Sequence, residues 1–344
     1  MADVRGKFVW HELTTPNSAG AHDFYSKAVG WTKQAWEHDK SYSMFVGPNG
    51  PLGAAVENRS AVPGWLAYIA VPNVDAAAAT AVRLGGKVLT PPTDVPNAGR
   101  HAALVDPQGG TFAVHSSSMP ASPERAPSHG EFSWHELATT VDPTQVFPFY
   151  AELFGWDEML RHDMGAPMGT YLIFGRNGMQ LGGMFNKGTM GRPGPAYWLS
   201  YVSVPNLDNA VEQAKAGRGA VLHGPADVPG GDKIAQLMDP HGAFFAMHWS
   251  ASTPAAQAAA KPAAKKPAAK AAAKPAAKPA AKPAPKAAKK KAKNLAKSAK
   301  NARKAKKTAK KAAKKPAKKV AKKVAKKKAA KPQRKTAKKA RSKR

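Results

Sequence analysis

One short stretch in which a histidine and a glutamate stand side by side occurs twice in the sequence. Residues 8–13 are FVWHEL, and residues 132–137 are FSWHEL. Imidazole and carboxylate groups bind divalent metals, and they are also the usual general acids and bases of enzymes. Two alternatives follow for the repeat: a duplicated chemical site, or a duplicated piece of scaffold.

The two stretches belong to a longer internal duplication. Three further segments match in the same order: FYSKAVGW (24–31) with FYAELFGW (149–156), VPNVDAA (71–77) with VPNLDNA (204–210), and DVPNAGRHAALVDPQGGTFAVH (94–115) with DVPGGDKIAQLMDPHGAFFAMH (227–248). Self-similarity of this kind predicts tandem copies of one structural unit. We assign Trp31 and Trp156, which follow the helix-ending glycines, to the core.

Changes in composition along the chain indicate where the two copies begin and end. Serine and proline dominate the junction between the copies, and the composition changes abruptly after the second copy. The predicted organisation is a first domain at 1–117, a linker at 118–130, a second domain at 131–250, and a disordered basic tail at 251–344.

Within each copy, hydrophobic periodicity alternates between strand and helix. Aromatic-rich segments such as residues 8–13 predict strands, and the 3.6-residue spacing over residues 19–29 and 75–84 predicts helices that end near glycine. Three strands follow the second helix. The fold class is therefore α+β, with two strand–helix–three-strand units in each domain.

This arrangement resembles the vicinal oxygen chelate superfamily, whose members include glyoxalase I, bleomycin-resistance proteins and extradiol dioxygenases. The similar features are FY…GW at the first helix, VPNVDAA at the second, and DPxGxxFAxH at the end of each copy, over about residues 7–117 and 131–250. The resemblance implies paired βαβββ units that form a curved, mostly antiparallel sheet around a pocket. It also implies that the pocket holds either a divalent metal or only a small ligand.

The resemblance further implies metal ligands on the first, fifth and last strands of each copy. The first position falls on His11 or Trp10, whereas the others fall on the leucines and alanines Leu66, Leu199, Ala113 and Ala246. Leucine and alanine cannot bind a metal, so we expect no cofactor. The alternative is a divalent metal in a rearranged site, with candidate ligands His11, Glu57, His115, His135 and His248.

Pocket residues are predicted from the same strands, because residues two apart on a strand share a face. We expect Trp10, His11 and Tyr68 to line one cavity and their counterparts to line the other. The full set of candidates is Trp10, His11, Glu12, Tyr68 and His115 in the first copy, with Trp134, His135, Glu136, Tyr201 and His248 in the second. Alternatively, the aromatic rings belong to the core and the polar groups to a solvated face.

The net charge of +32 is concentrated in the tail. Residues 251–344 contain 37 lysines and arginines and no acidic residue, which leaves 17 of the 54 basic and all 22 acidic residues in the body. The body is therefore mildly acidic. The tail lacks aromatic residues and has few large aliphatic ones, so it cannot bury a core. Its composition is similar to that of a linker-histone tail.

The tail predicts a polyanionic partner, DNA or RNA, contacted through residues 254–344 without sequence preference. Zero cysteines exclude disulfides and thiolate metal sites. We expect a cytoplasmic protein, associated with the nucleoid through the tail, and no membrane partner.

Three functions stay open for the whole chain. The first is a metal-free module that binds a small molecule. The second is a metal-dependent lyase, isomerase or dioxygenase that uses the rearranged site. The third is a homodimeric scaffold that presents two basic tails.

Overall fold

The computed structural model describes residues 4–119, 125–188 and 193–251 of the 344-residue chain. All of these residues lie in one compact unit that spans Met1–Lys265. The predicted basic tail lies outside the described residues, apart from Ala251. Within the described ranges, no helix is long and apolar enough to cross a membrane.

Each copy forms one eight-stranded sheet and two helices. The first copy consists of β1 (Phe8–Thr15), α1 (Ser18–Val29), β2 (Thr32–Ala35), β3 (Ser43–Gly47), β4 (Gly50–Glu57), β5 (Gly64–Ala70), α2 (Val74–Arg83), β6 (Lys87–Val95), β7 (Gly99–Val105) and β8 (Thr111–Ser117). The second consists of β9 (Phe132–Thr139), α3 (Pro143–Phe154), β10 (Asp157–Asp163), β11 (Thr170–Arg176), β12 (Met179–Asn186), β13 (Tyr197–Ser203), α4 (Leu207–Ala216), β14 (Ala220–Asp227), β15 (Lys233–Met238) and β16 (Phe244–Trp249).

The two sheets have the same topology. Their strand orders are β2-β3-β4-β1-β5-β8-β7-β6 and β10-β11-β12-β9-β13-β16-β15-β14. In the first sheet β1 pairs with β4 in parallel and with β5 antiparallel. The WHEL strands β1 and β9 are therefore central strands. The predicted α+β class with two βαβββ units in each copy is confirmed, whereas the proposed domain boundaries stay a prediction.

The helices begin and end at residues that the sequence marks clearly. The side chain of Asn17 accepts a hydrogen bond from the Gly20 amide and caps α1, which ends at Gly30 with φ of 80°. Asp142 caps α3 through the Thr144 amide, and α3 ends at Gly155 with φ of 66°. Glycine is suited to these two ends because it adopts positive φ without steric cost.

The helices of one copy pack against the helices of the other. One hydrophobic core joins α2 and β8 of the first copy to α3 and β11 of the second, and contains Phe112, Phe149 and Phe174. A second core joins α1 and β3 to α4 and β16, and contains Phe24 and Phe245. Both of these helix-containing cores are therefore shared by the two copies, whereas a smaller cluster of Leu199, Tyr201 and Ala246 lies within the second copy alone.

The repeated motifs meet at this boundary between the copies. The Tyr150 hydroxyl donates to Asp106 Oδ2 at 2.7 Å, and the Tyr25 hydroxyl donates to Asp239 Oδ2 at 3.3 Å. Each tyrosine belongs to an FY segment, and each aspartate belongs to the DPxG turn of the opposite copy. Trp31 donates its indole N–H to the Gly130 carbonyl oxygen at 2.6 Å, across the junction between the copies.

The prediction that Trp31 and Trp156 are core residues is confirmed, since their exposed fractions are 2% and 3%. Trp156 repeats the contact that Trp31 makes, because its indole N–H donates to the Gly6 carbonyl oxygen at 2.8 Å.

Candidate functional site

Strand alternation divides the WHEL stretch between the two faces of its sheet. Leu13 packs into a helix-containing core, so His11, two residues earlier, points to the same side. Trp10 and Glu12 therefore point to the opposite side, which we call the helix-free face. The same alternation places Trp134 and Glu136 on the helix-free face of the second sheet.

Glu12 is the centre of a polar cluster on the first helix-free face. Its Oε2 atom accepts the hydroxyls of Tyr42 at 3.1 Å and Tyr68 at 3.4 Å. The Tyr42 hydroxyl in turn accepts the indole N–H of Trp10 at 3.1 Å. We call these four residues site 1. Trp10 and Glu12 lie on β1, Tyr68 lies on β5, and Tyr42 immediately precedes β3.

Burial determines the protonation behaviour of site 1. It raises the pKa of the Glu12 carboxyl, and the hydrogen bonds from Tyr42 and Tyr68 partly offset this rise. Burial and the Glu12 charge also raise the pKa values of Tyr42 and Tyr68, so both remain hydrogen-bond donors. The Glu12 carboxylate therefore accepts two hydrogen bonds in a largely buried setting.

Two histidines lie on the same face beside site 1. His101 interacts electrostatically with Glu12, and its ring centroid is 6.0 Å from that of Tyr68. His115 lies opposite His101 on the adjacent strand, and burial lowers its pKa. The predicted candidates Trp10, Glu12 and Tyr68 are thus brought together, with His115 on the same face.

The second sheet repeats the cluster with one addition. Glu136 accepts the Tyr171 hydroxyl on Oε1 at 2.9 Å and the Tyr201 hydroxyl on Oε2 at 2.8 Å. Trp134 donates to the Tyr171 hydroxyl at 3.2 Å, as Trp10 does to Tyr42. Gln236 also donates to Glu136 Oε2, at 3.4 Å. We call these five residues site 2. Burial raises the pKa of Glu136.

The two WHEL histidines do not line a cavity with the tryptophans, which corrects that expectation. His11 and His135 lie at the boundary between the copies, where their Nε2 atoms are 2.8 Å apart. Phe8 stacks on His135 with ring centroids 3.5 Å apart, and Phe132 stacks on His11 at 3.6 Å. Because side chains alternate between the two faces of a strand, each histidine lies on the face opposite its neighbouring tryptophan and glutamate.

The other candidates lie apart from one another. His248 has Asp232 at 2.9 Å from Nε2 and Ser133 at 3.0 Å from Nδ1. Glu57 forms a salt bridge with Arg59 at the exposed end of β4. His11 faces the other copy, so His11, Glu57 and His115 do not converge. In the described parts of the chain, no three His, Asp or Glu side chains form a group that could hold a metal.

The family's metal positions also carry the wrong residue types in this structure. Glu12 lies opposite Leu66 on β5, and Tyr68 lies opposite Ala113 on β8. One carboxylate remains where a metal would need three or more donors, and two tyrosines already donate to it. The residues of site 1 do not fit the usual metal.

Tyr42, Tyr171, His101 and Gln236 were not among the predicted site residues. Tyr42 immediately precedes β3, and Tyr171 lies near the start of the equivalent strand β11. The two tyrosines are 129 positions apart, whereas the WHEL stretches are 124 apart. Insertions between the matched segments hid their equivalence. The available signal was the strand register, because β3 and β11 each pair with the strand beside the WHEL strand.

The duplicated fold, with paired βαβββ units in each sheet, defines the class of protein. The model of the Glyoxalase/Bleomycin resistance protein/Dioxygenase superfamily matches residues 135–247. The chain is also 30% identical over 261 residues to the anthracycline biosynthesis protein DauV of Streptomyces sp. (strain C5), an alignment that covers 70% of this chain and 92% of DauV. The chain belongs to this superfamily.

Solved structures share the fold. The Mn(II)-bound glyoxalase from Novosphingobium aromaticivorans superposes with a TM-score of 0.51 at 13% identity, covering 71% of this chain and 82% of that chain. The 2,2',3-trihydroxybiphenyl 1,2-dioxygenase from Sphingomonas wittichii strain RW1 gives a TM-score of 0.52 at 12% identity, covering 72% of this chain and 91% of that chain. At these identities the similarity concerns the fold alone.

Proposed function

We propose that the helix-free face binds a small planar aromatic molecule that carries a hydroxyl group, without the usual metal of the superfamily. The observation that carries this proposal is a partly or fully buried glutamate that receives two tyrosine hydroxyls beside a tryptophan. A carboxyl group in such a setting can exchange a hydrogen bond with a phenol or an enol. Neighbouring aromatic rings provide a surface for a flat ligand.

The similarity to DauV supports this ligand class. DauV is named for anthracycline biosynthesis, and anthracyclines are planar polycyclic molecules that carry phenolic hydroxyls. The metal-dependent alternative needs donors that the family's positions lack here, since Leu66 and Ala113 occupy two of them. Hydrogen bonding and stacking are therefore the interactions on which the proposal is built.

The test uses 2-hydroxyanthraquinone, a planar phenol whose hydroxyl is remote from the quinone oxygens and free to donate, added in its neutral form at about pH 6 to the full chain while tryptophan fluorescence is measured. We expect saturable quenching, and at least tenfold weaker binding in the double variant Glu12→Gln/Glu136→Gln. At position 12 a glutamine offers a single oxygen, which the Tyr42 and Tyr68 hydroxyls occupy, so its amide N–H group would face the donor group of the ligand.

The matched control is Glu37→Gln, because Glu37 is an exposed glutamate outside both sites. This variant is expected to bind as the wild type does. Absence of saturable binding in the wild type, or equal binding in the double variant, would overturn the proposal. Binding that requires added Mn²⁺ and disappears with a chelator would favour the metal-dependent alternative instead.

We also propose that residues 254–344 bind DNA or another polyanion through the phosphate backbone. The supporting observation is compositional, because residues 251–344 carry 37 basic side chains and no acidic one. If about ten of these contact phosphates together, log K falls with log salt concentration at a slope of about −9. The lack of aromatic residues in the tail argues against base stacking and against sequence preference.

Removing residues 254–344 is expected to abolish retention on DNA at low salt while leaving quenching by the anthraquinone unchanged. Retention by the truncated chain would contradict the proposal. Sizing both forms on a calibrated column tests the homodimer alternative, because a dimer that presents two tails would bind with higher avidity than a monomer.

A further inference from the structure

We infer that the two helix-free faces are not equivalent: site 1 takes the ligand, and site 2 is closed by the protein's own side chains. This inference rests on the proposed function and assigns it to one sheet. The proposed occupant of site 1 is one neutral planar molecule whose phenol or enol hydroxyl donates to Glu12.

The two carboxylates differ in how many of their oxygens are occupied. In site 2 both oxygens of Glu136 accept hydrogen bonds, Oε1 from Tyr171 and Oε2 from Tyr201 and Gln236. In site 1 both tyrosines donate to Oε2 of Glu12. Among the described residues, no side chain or amide donates to Oε1 of Glu12, so this oxygen can accept a ligand hydroxyl.

The residue that completes site 2 has no counterpart in site 1. Gln236 lies opposite Ala246, and Ala103 lies opposite Ala113, so Gln236 and Ala103 occupy equivalent positions on β15 and β7. Gln236 donates to the Tyr201 hydroxyl at 2.9 Å as well as to Glu136. Alanine at position 103 has no polar side-chain atom, so it cannot donate to Glu12 or to Tyr68 as Gln236 does to their counterparts.

Burial differs in the same direction. Glu136 is 8% exposed and Tyr201 is 2% exposed, whereas Glu12 is partly exposed and Tyr68 is 9% exposed. A ligand can reach a carboxylate only where solvent reaches it, and Glu12 is the more accessible of the two.

The neighbouring strand position also favours site 1. His101 lies opposite His115 and Ile234 lies opposite His248, so the first sheet has an imidazole where the second has an aliphatic side chain. His101 interacts electrostatically with Glu12. The His101 ring also lies 6.0 Å, centroid to centroid, from the ring of Tyr68, so site 1 has an imidazole at its edge that site 2 lacks.

Reciprocal variants of the full chain test the inference with 2-hydroxyanthraquinone as the probe. We expect the wild type to bind one probe molecule per chain. Ala103→Gln should close site 1 and weaken binding at least tenfold. Gln236→Ala should open site 2 and raise the stoichiometry from one to two.

The failures of the two proposals are distinguishable. No probe binding by the wild type overturns the proposed function and this inference with it. A wild-type stoichiometry of two, or tenfold weaker binding in Gln236→Ala with no loss in Ala103→Gln, overturns this inference alone. A stoichiometry that stays at one in Gln236→Ala contradicts the role of Gln236 as the closing group.

A folding control accompanies Ala103→Gln, because a larger side chain can disturb the sheet. Its far-ultraviolet circular dichroism is compared with that of the wild type. If the variant does not fold, the single variant Glu12→Gln is tested instead. If site 1 is the one binding site, this variant should bind the probe at least tenfold more weakly. If the two sites are equivalent, it should only halve the stoichiometry.

Discussion

At the scale of single residues, His11 and Glu12 are adjacent in sequence yet have different environments. His11 contacts His135 between the copies, and Glu12 accepts tyrosine hydroxyls on the helix-free face. The period-two geometry of a strand is enough to separate them. One half of the WHEL stretch is therefore scaffold, and the other half belongs to the candidate binding site.

The histidine pair makes stability depend on pH. Burial lowers the pKa of His135 to about 3 and that of His11 well below its ordinary value. In the unfolded chain both histidines have a pKa of about 6.5. Below that pH the unfolded state binds protons that the folded state excludes, so the free energy of unfolding decreases as pH falls. For His135 alone the decrease between pH 7 and pH 5 is about 2 kcal/mol.

The prediction is measured as a difference between two proteins. We expect wild type and the double variant His11→Leu/His135→Leu to differ in urea stability by an amount that changes by about 2 kcal/mol or more between pH 7 and pH 5. The wild type should lose more stability on acidification. Other groups, including the Glu12 and Glu136 carboxyls with their raised pKa values, titrate in both proteins, so their effects cancel in the difference. A difference that is constant with pH would contradict the prediction.

At the scale of helices and strands, hydrophobic periodicity predicted most of the fold. The strand at residues 8–13 and the helices near residues 19–29 and 75–84 appear as β1, α1 and α2, with ends shifted by a few residues. The position of strand β2 was not predicted, although the strand–helix–three-strand unit requires such a strand. All four of its residues, TKQA, are exposed, so they lack the apolar–polar alternation by which a half-buried strand is identified.

The site was predicted less completely than the fold, for a physical reason. Trp10, Glu12 and Tyr68 lie on strands that the repeated motifs mark, whereas Tyr42 belongs to the segment of unequal length between motifs. The face on which His11 lies depends on which side of the sheet the helices cover and on what packs against them. Sequence periodicity within one strand does not contain that information.

At the scale of the whole molecule, the helices pack the two copies against each other. Helix α1 packs with α4, and α2 packs near α3, so each of the two helix-containing cores includes residues from both copies. The interface also includes the Tyr150–Asp106 hydrogen bond at 2.7 Å and the paired histidines. A tandem repeat in sequence is therefore not a pair of independent domains in space.

This packing predicts how the chain responds to being divided. Fragments 1–124 and 125–344, each produced alone, expose the apolar helix faces that the other copy covers, such as Phe24 of α1 and Phe149 of α3. About 25 cal/mol is lost for each Å² of apolar surface left in water. Since domains are only about 5–15 kcal/mol stable, each fragment alone should be unfolded or self-associated.

Produced together, the two fragments should form a one-to-one complex that unfolds in a single transition, as the intact chain should. Circular dichroism and column sizing on each fragment, and calorimetry on the complex and the intact chain, measure this. The co-produced pair is the matched control, because it contains both halves of the chain and lacks only the peptide bond between residues 124 and 125. A folded monomeric fragment, or two separate transitions in the intact chain, would show that each copy closes its own core.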